Sequence, residues 1–104
     1  MELTVLALPG CPHAPVLERR LAAVLAGRPP VTVTRQLITG AAEAAEWGMH
    51  GSPTLLVNGH DPFADPGSAP AVACRLYRGE DGLLDGAPTE AALRRVLEQA
   101  DAAA

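Results

Sequence analysis

The chain has 104 residues, a net charge of −4 and hydrophobic residues at 48% of its positions. These values predict one folded domain spanning residues 1–104 and exclude intrinsic disorder. The elements taken in chain order below indicate that it is an α/β domain. All eight basic residues are arginines and none of their clusters exceeds a pair, whereas a nucleic-acid site needs a concentrated basic face. We therefore expect no nucleic-acid partner.

The first residues and the length of the apolar segments bear on location. Met1-Glu2 runs directly into Leu3–Leu8 without a basic leader, and no segment approaches the roughly 20 apolar residues of a membrane span. We expect a cytoplasmic protein with no membrane partner, and the bias toward Ala, Arg, Gly and Pro suggests a bacterial gene. In a reducing compartment its two cysteines are not expected to form a structural disulfide.

The first half of the chain predicts a β-α-β-α order. Leu3–Leu8 is apolar and is stopped by Pro9-Gly10, which is typical of a short strand covered on both faces. Leucine and valine then recur at helical spacing over residues 17–25. The β-branched segment Val31–Ile38 predicts a strand with one better-buried face, and Ala41–Trp47 predicts a short helix.

The second half predicts a β-β-α order. Thr54–Val57 is a strand closed by the Asn58-Gly59 turn signal, and Ala71–Tyr77 is a strand expected to pair antiparallel with it. A Pro-rich loop over residues 60–70 joins the two, and Pro88-Thr89-Glu90 opens the last helix. Right-handed crossovers then predict a four-stranded mixed sheet with helices on both faces.

Two short motifs occupy particular places in this βαβαββα order. Cys11-Pro12-His13-Ala14 follows the first strand, and Ser52-Pro53-Thr54 precedes the third. Together they resemble the thioredoxin superfamily, whose Cys-X-X-Cys active-site turn is similar to the first motif and whose cis-proline loop is similar to the second. The resemblance covers nearly the whole chain and implies a thioredoxin-like fold. Because Ala14 stands where the second cysteine would be, it also implies a monothiol site.

The resemblance assigns roles to the residues of both motifs. It implies catalytic roles for Cys11, His13 and Pro53, and substrate contacts from Pro12, Ser52 and Thr54. It further implies a cis bond before Pro53 that exposes the backbone of Ser52 as an edge for a substrate peptide. No cofactor is expected. The expected partner is a low-molecular-weight thiol, or a thiol or disulfide of another protein.

The position of Cys11 favours its thiolate. A strand ends and a helix begins there, so unpaired N–H groups and the positive end of the helix dipole point toward the thiol. A protonated His13 acts in the same direction, or donates a proton to the leaving sulfur. Cys11 is thus a candidate nucleophile, and the alternative is an ordinary half-exposed cysteine in a fold that has lost its chemistry.

The second cysteine, Cys74, falls within the predicted fourth strand. Alternation places it on the same face as Val72 and Leu76. Free cysteines are among the most buried residues, so an inert core cysteine is the favoured interpretation. The alternative is a second thiol that resolves Cys11, which requires their Cα atoms to approach within about 7 Å.

The histidines and acids of the central loops show no metal-ligand spacing. His60, Asp61 and Asp65 do not form a recognised set, so we expect no metal site. His50 is expected to be an ordinary loop histidine, with proximity to the Pro53 loop as the alternative.

Three functional hypotheses follow. The first is a monothiol redox or thiol-transfer protein, acting through Cys11. The second is a non-catalytic thioredoxin-fold binding or accessory module, with the Pro-rich loop as a contact surface. The third is thiol-based handling of a soft metal or an organomercurial, provided that the sulfurs of Cys11 and Cys74 converge. The oligomeric state is left open.

Overall fold

The computed structural model describes residues 1–103 as seven short strands and three helices. In chain order these are β1 (Glu2–Ala7), α1 (Ala14–Leu25), β2 (Thr32–Leu37), α2 (Ala41–Trp47), β3 (His50–Ser52), β4 (Thr54–Val57), β5 (Ala71–Cys74), β6 (Tyr77–Arg78), β7 (Leu84–Asp85) and α3 (Glu90–Ala103).

The apolar segment near the amino terminus forms the central strand of the main sheet. β1 pairs in parallel with β2 on one side and antiparallel with β4 on the other, giving a three-stranded mixed sheet in the order β2-β1-β4. Leu3, Val5 and Leu6 are buried, as expected of a strand covered on both faces. The predicted parallel β-α-β unit is therefore present.

Alternation along β1 and β4 divides the core into two layers. Leu3 and Val5 of β1 face α1 and α3 and pack in a cluster with the helix residues Leu17 and Leu93. Leu6 faces the opposite side, where a second cluster is formed by Leu6, Ile38, Ala44, Met49 and Leu56. Helices thus cover both faces of the sheet, as the sequence predicted.

The last helix begins, and the first helix ends, at residues suited to those positions. The hydroxyl of Thr89 accepts a hydrogen bond from the N–H of Ala92 at 3.1 Å, which caps the amino terminus of α3. Beyond α1, Gly27 has a φ of 82°, a conformation that favours glycine after a helix. The helices place their apolar faces on the sheet, which fixes where the β1–α1 connection emerges.

The predicted fourth strand pairs differently from the expectation. β5 lies parallel to β3, not antiparallel to β4, so the main sheet has three strands and not four. The long connection after β4 carries the chain back to the start of β3. Two backbone hydrogen bonds join β5 to β3 at their ends. The N–H of Ala71 donates to the carbonyl of Met49, and the N–H of Arg75 donates to the carbonyl of Ser52. β5 also ends at Cys74, and Tyr77–Arg78 forms a separate hairpin with β7.

The better-buried face predicted for Val31–Ile38 is present only at the ends of the segment, where Ile38 is buried and Val31 packs against the core. The residues of β2 between them are exposed or half-exposed, Val33 and Leu37 among them. β2 is the edge strand of the sheet, and it pairs with β1 alone. Among residues 1–103, no helix is long and apolar enough to cross a membrane.

Candidate functional site

Cys11 is presented by a tight turn at the end of β1. The N–H of Cys11 bonds to the carbonyl of Leu8 at 3.1 Å, and Gly10 has a φ of 73°. Proline followed by a glycine with positive φ is the combination that a type II turn requires, so the Pro9-Gly10 dipeptide itself dictates this geometry. Cys11 emerges from the turn half-buried.

The helix begins later than the sequence suggested. α1 starts at Ala14 with His13 as its N-cap residue, so Cys11 lies two residues before the cap and not within the first turn. Pro12 is exposed in the intervening turn and does not occupy the first helical position. Because the field of a helix terminus falls off over about one turn, the helix acts on Cys11 from a greater distance than expected.

His13 packs against a glycine that leaves room for its ring. A Cβ built on Gly86 would lie only 2.3 Å from Cγ and Nδ1 of His13. The neighbouring Asp85 carboxylate receives a hydrogen bond from Arg20, which is the main reason that its pKa lies below the ordinary value, and the charge of His13 adds to this effect. Gly86 thus leaves the room that the imidazole occupies at the start of α1, beside the Cys11 turn.

The Ser52-Pro53-Thr54 loop lies directly behind the Cys11 turn. The hydroxyl of Ser52 accepts a hydrogen bond from the N–H of Leu8 at 2.9 Å, so Leu8 joins this loop to the turn that carries Cys11. The Ser52–Pro53 peptide bond is cis, which confirms that prediction.

The backbone of Ser52 is not left open as an edge for a substrate peptide, so that expectation is wrong. Ser52, Pro53 and Thr54 are all buried, and the carbonyl of Ser52 already accepts the N–H of Arg75 at 3.1 Å. The parallel pairing of β5 with β3 covers the edge that the resemblance left open. Thr54 donates to the carbonyl of Gly51 at 2.6 Å, a bond within the same segment. Ser52 is therefore the residue of this loop that supports the Cys11 turn, through Leu8.

Tyr77 supports the loop from the β6–β7 hairpin. Its hydroxyl donates a hydrogen bond to the carbonyl of Pro53, and its ring meets that of Phe63 edge-on at 5.6 Å. Burial raises the pKa of Tyr77, while the charge of Arg75 opposes the shift.

A buried ionic cluster braces Tyr77 from behind. Asp61 accepts a hydrogen bond from Arg75 at 2.7 Å and lies 3.2 Å from Nδ1 of His50. The guanidinium of Arg75 stacks over the Tyr77 ring, 4.6 Å from its centroid, and reaches Thr54 at 3.2 Å. His50 is thus linked to the Pro53 loop, as the alternative interpretation of this histidine predicts.

One local pattern in the sequence indicates part of this cluster. In Asp61-Pro62-Phe63 the aspartate precedes a proline, and its side chain accepts the N–H of Phe63 at 2.9 Å, which is a side-chain turn of the kind aspartate favours. No pattern in the sequence indicated Arg75 as its partner, because that contact arises from the unexpected pairing of β5.

Cys74 is exposed, so the prediction of an inert core cysteine is wrong. Alternation does place it with Val72 and Leu76, but these are exposed too, whereas Arg75 and Tyr77 face the interior. In the β3–β5 pairing, Cys74 is the partner of Ser52, which contacts the Cys11 turn through Leu8.

Within residues 1–103 there is no group of three or more His, Cys, Asp or Glu side chains arranged to hold a metal ion. His60 and Asp65 are exposed, whereas Asp61 is buried. Comparison with known proteins found no matching family model, no matching curated protein and no matching solved structure.

Proposed function

We propose that this protein catalyses thiol–disulfide exchange on a thioredoxin-like fold, with Cys11 as its single nucleophile. The observation that carries the proposal is the support given to the turn that presents half-buried Cys11. The carbonyl of Leu8 accepts the backbone N–H of Cys11, and the N–H of Leu8 donates to the hydroxyl of Ser52, which precedes the cis-proline. Tyr77 in turn donates to the carbonyl of Pro53. A cysteine on a turn after the first strand, backed by a cis-proline loop, is the arrangement that the resemblance to the thioredoxin superfamily implies.

The layout of the fold supports a thioredoxin-like assignment. A parallel β1-α1-β2 unit is followed by an antiparallel strand, the helices cover both faces, and a half-buried cysteine follows β1. The parallel pairing of β5 is a departure from the order implied by the resemblance.

The proposed reaction balances without any cofactor. The Cys11 thiolate attacks one sulfur of a disulfide, the S–S bond breaks, and the second sulfur leaves as a thiolate that takes up a proton. An external low-molecular-weight thiol, or a thiol of another protein, then attacks the mixed disulfide as its thiolate and restores that of Cys11. Cytoplasm would supply such thiols, and no second cysteine is required.

Two residues beside Cys11 are proposed to act directly. His13 lies at the N-cap of α1, so its imidazolium can stabilise the thiolate or give a proton to the leaving sulfur. Exposed Pro12 lies between them and is the residue that an incoming disulfide would contact first. Ser52, Pro53 and Thr54 act as positioning residues beneath them.

The direct test is formation and turnover of the mixed disulfide. We expect glutathione disulfide to modify Cys11, detected by peptide mass spectrometry, and excess thiol to release it. With a small disulfide substrate and external thiol, the protein should accelerate exchange above the uncatalysed rate. Cys11→Ser should abolish this acceleration.

Cys74→Ser is the matched control, because it removes the other thiol and leaves the Cys11 turn intact. It should keep the full rate. Loss of turnover in Cys74→Ser, or its persistence in Cys11→Ser, would overturn the single-nucleophile mechanism.

A second candidate function, partner binding without catalysis, is favoured by exposed leucines near the β6–β7 hairpin. Leu76, Leu83 and Leu84 expose more than half of their surface, and Leu76 and Leu84 line a groove of about 420 Å³ that also contacts Phe63. Undiminished cellular function of a Cys11→Ser variant would favour this candidate over thiol exchange.

A further inference from the structure

The free edge of the main sheet is long, regular and partly apolar. β2 lies outermost in the order β2-β1-β4, and its register with β1 runs without interruption over six residue pairs. Val33 and Leu37 expose 43% and 47% of their surface on one face of this strand. Such an edge is a template for another strand unless it is blocked.

Most of the devices that usually block an edge strand are missing from β2. Its sequence, Thr-Val-Thr-Arg-Gln-Leu, contains no proline and no lysine, and its register with β1 contains no bulge. Arg35 is the single charged residue of the strand, and Glu18 of α1 pairs with it at 2.9 Å and supplies a counter-charge. The strand can therefore accept a partner along its edge.

The hydrogen bonds between β1 and β2 show which backbone groups of β2 face away from β1. The N–H of Ile38 bonds to the carbonyl of Ala7, so the even-numbered residues of this segment turn their backbone groups toward β1. Val33, Arg35 and Leu37 therefore direct their N–H and C=O groups away from the sheet. Among these groups, the carbonyl of Leu37 accepts a hydrogen bond from the exposed side chain of Gln36 at 3.1 Å, which an incoming N–H would replace.

We propose that β2 is a dimerisation edge that pairs antiparallel with β2 of a second copy, with Arg35 on the twofold axis. In this register Val33 of each copy faces Leu37 of the other, and residues 33, 35 and 37 exchange about six backbone hydrogen bonds. Both exposed apolar side chains are covered at once, and the two sheets join into one of six strands.

The charges of the edge are compatible with self-pairing. Two arginines facing each other across an axis repel, but each Arg35 guanidinium already has the Glu18 carboxylate as a counter-charge. Val33 and Leu37 lie two residues before and two residues after Arg35, so the exposed face of β2 matches itself when a second copy runs antiparallel to it. This self-complementarity argues for a second copy of the chain over an unrelated strand. The inference does not depend on Cys11 chemistry.

Sedimentation of the full chain at varied concentration tests the proposal. We expect a monomer–dimer equilibrium with a dissociation constant of about 1–100 μM, as befits a small interface. Val33→Lys and Leu37→Lys should each weaken dimerisation at least about tenfold. Leu83→Lys is the matched control, because Leu83 is 69% exposed in the β6–β7 connection, and it should dimerise as the natural chain does.

Single cysteines placed in the Cys11→Ser/Cys74→Ser background test the register and guard against misfolded variants. Arg35→Cys should form an intermolecular disulfide on mild oxidation, because Cα atoms on the axis lie about 5.5 Å apart. Thr34→Cys should not, because its two copies lie about 8 Å apart. A monomer throughout the concentration range, a dimer unaffected by the edge lysines, or cross-linking of Thr34→Cys but not Arg35→Cys would each overturn the proposal.

Discussion

Tyr77 shows how one buried residue couples the candidate site to stability. Its hydroxyl holds the carbonyl of Pro53, and burial, opposed by Arg75, raises its pKa. The folded protein therefore keeps the phenol protonated at a pH where the unfolded chain, with an ordinary pKa of about 10, already releases the proton. The stabilisation is complete below that pH and is lost progressively as the pH rises above it.

This difference predicts the alkaline behaviour of the protein. Tyr77 is the only tyrosine in the chain, so phenolate absorbance reports on it alone. We expect the phenolate to appear only together with loss of the helical circular dichroism signal. Tyr77→Phe should remove this contribution to the pH dependence of unfolding above about pH 10. Phenolate absorbance rising near that pH while the helical signal stays native would contradict the burial of this hydroxyl.

Gly86 is a second single residue with a local effect, because it determines where the ring of His13 lies. Gly86→Ala would bring a Cβ to 2.3 Å from the imidazole, so the ring or the segment before α3 must move. We expect a loss of about 1–3 kcal/mol in the free energy of unfolding, measured by urea denaturation. The imidazole NMR signals of His13 should shift as well.

Gly40→Ala is the control for this substitution. No atom lies within 4 Å of a Cβ at Gly40, and its φ of −169° is extended backbone. It should cost under about 1 kcal/mol. An equal loss in the two variants would show that the contact with His13 has no special weight.

At the scale of elements, one buried carboxylate joins the Pro-rich loop to the strands beside it. Asp61 lies in the connection between β4 and β5, and its side chain is only 3% exposed. It joins that connection to Arg75, which follows β5, and to His50 at the start of β3. Because only 11% of the Arg75 side chain is exposed, the charge of its guanidinium depends on Asp61 for compensation.

Asp61→Asn should therefore destabilise the protein by about 3–5 kcal/mol in chemical denaturation. Asp101→Asn is the matched control, since it removes the carboxylate of the half-exposed ion pair with Arg28 and should cost under about 1 kcal/mol. Similar losses in the two variants would mean that the Asp61 cluster does not stabilise the loop.

The sequence predicted elements better than it predicted their pairing. The apolar run of β1, the helical spacing of α1 and the Asn58-Gly59 turn are local patterns, and each appears in the structure as expected. The partner of β5 depends instead on the course of a long connection that carries no periodic signal. The incorrect partner expected for β5 also explains the incorrect burial expected for Cys74. A strand covered by the main sheet would bury this face, whereas the observed β5 leaves it exposed.

At the scale of the whole molecule, the two-sided core was predictable because it follows from the apolar character of β1 and the amphipathic helices. The contacts that support the candidate site were less predictable. The position of Cys11 and the cis bond before Pro53 were expected, whereas the burial of Ser52 and the ionic cluster behind Tyr77 come from long-range contacts. The molecule holds its cysteine turn from below and leaves Cys11, Pro12 and His13 as the accessible part of the site.

The two cysteines provide the most direct test of this account. Cys74 is exposed and Cys11 is half-buried, so accessibility alone would make Cys74 the faster of the two to react. The measurement is alkylation by iodoacetamide at neutral pH, with peptide mass spectrometry following each cysteine separately. We predict that Cys11 reacts about tenfold faster than Cys74 or more in the folded protein, and that the two rates converge in denaturant. Faster alkylation of Cys74 in the folded protein would contradict the assignment of Cys11 as the nucleophile.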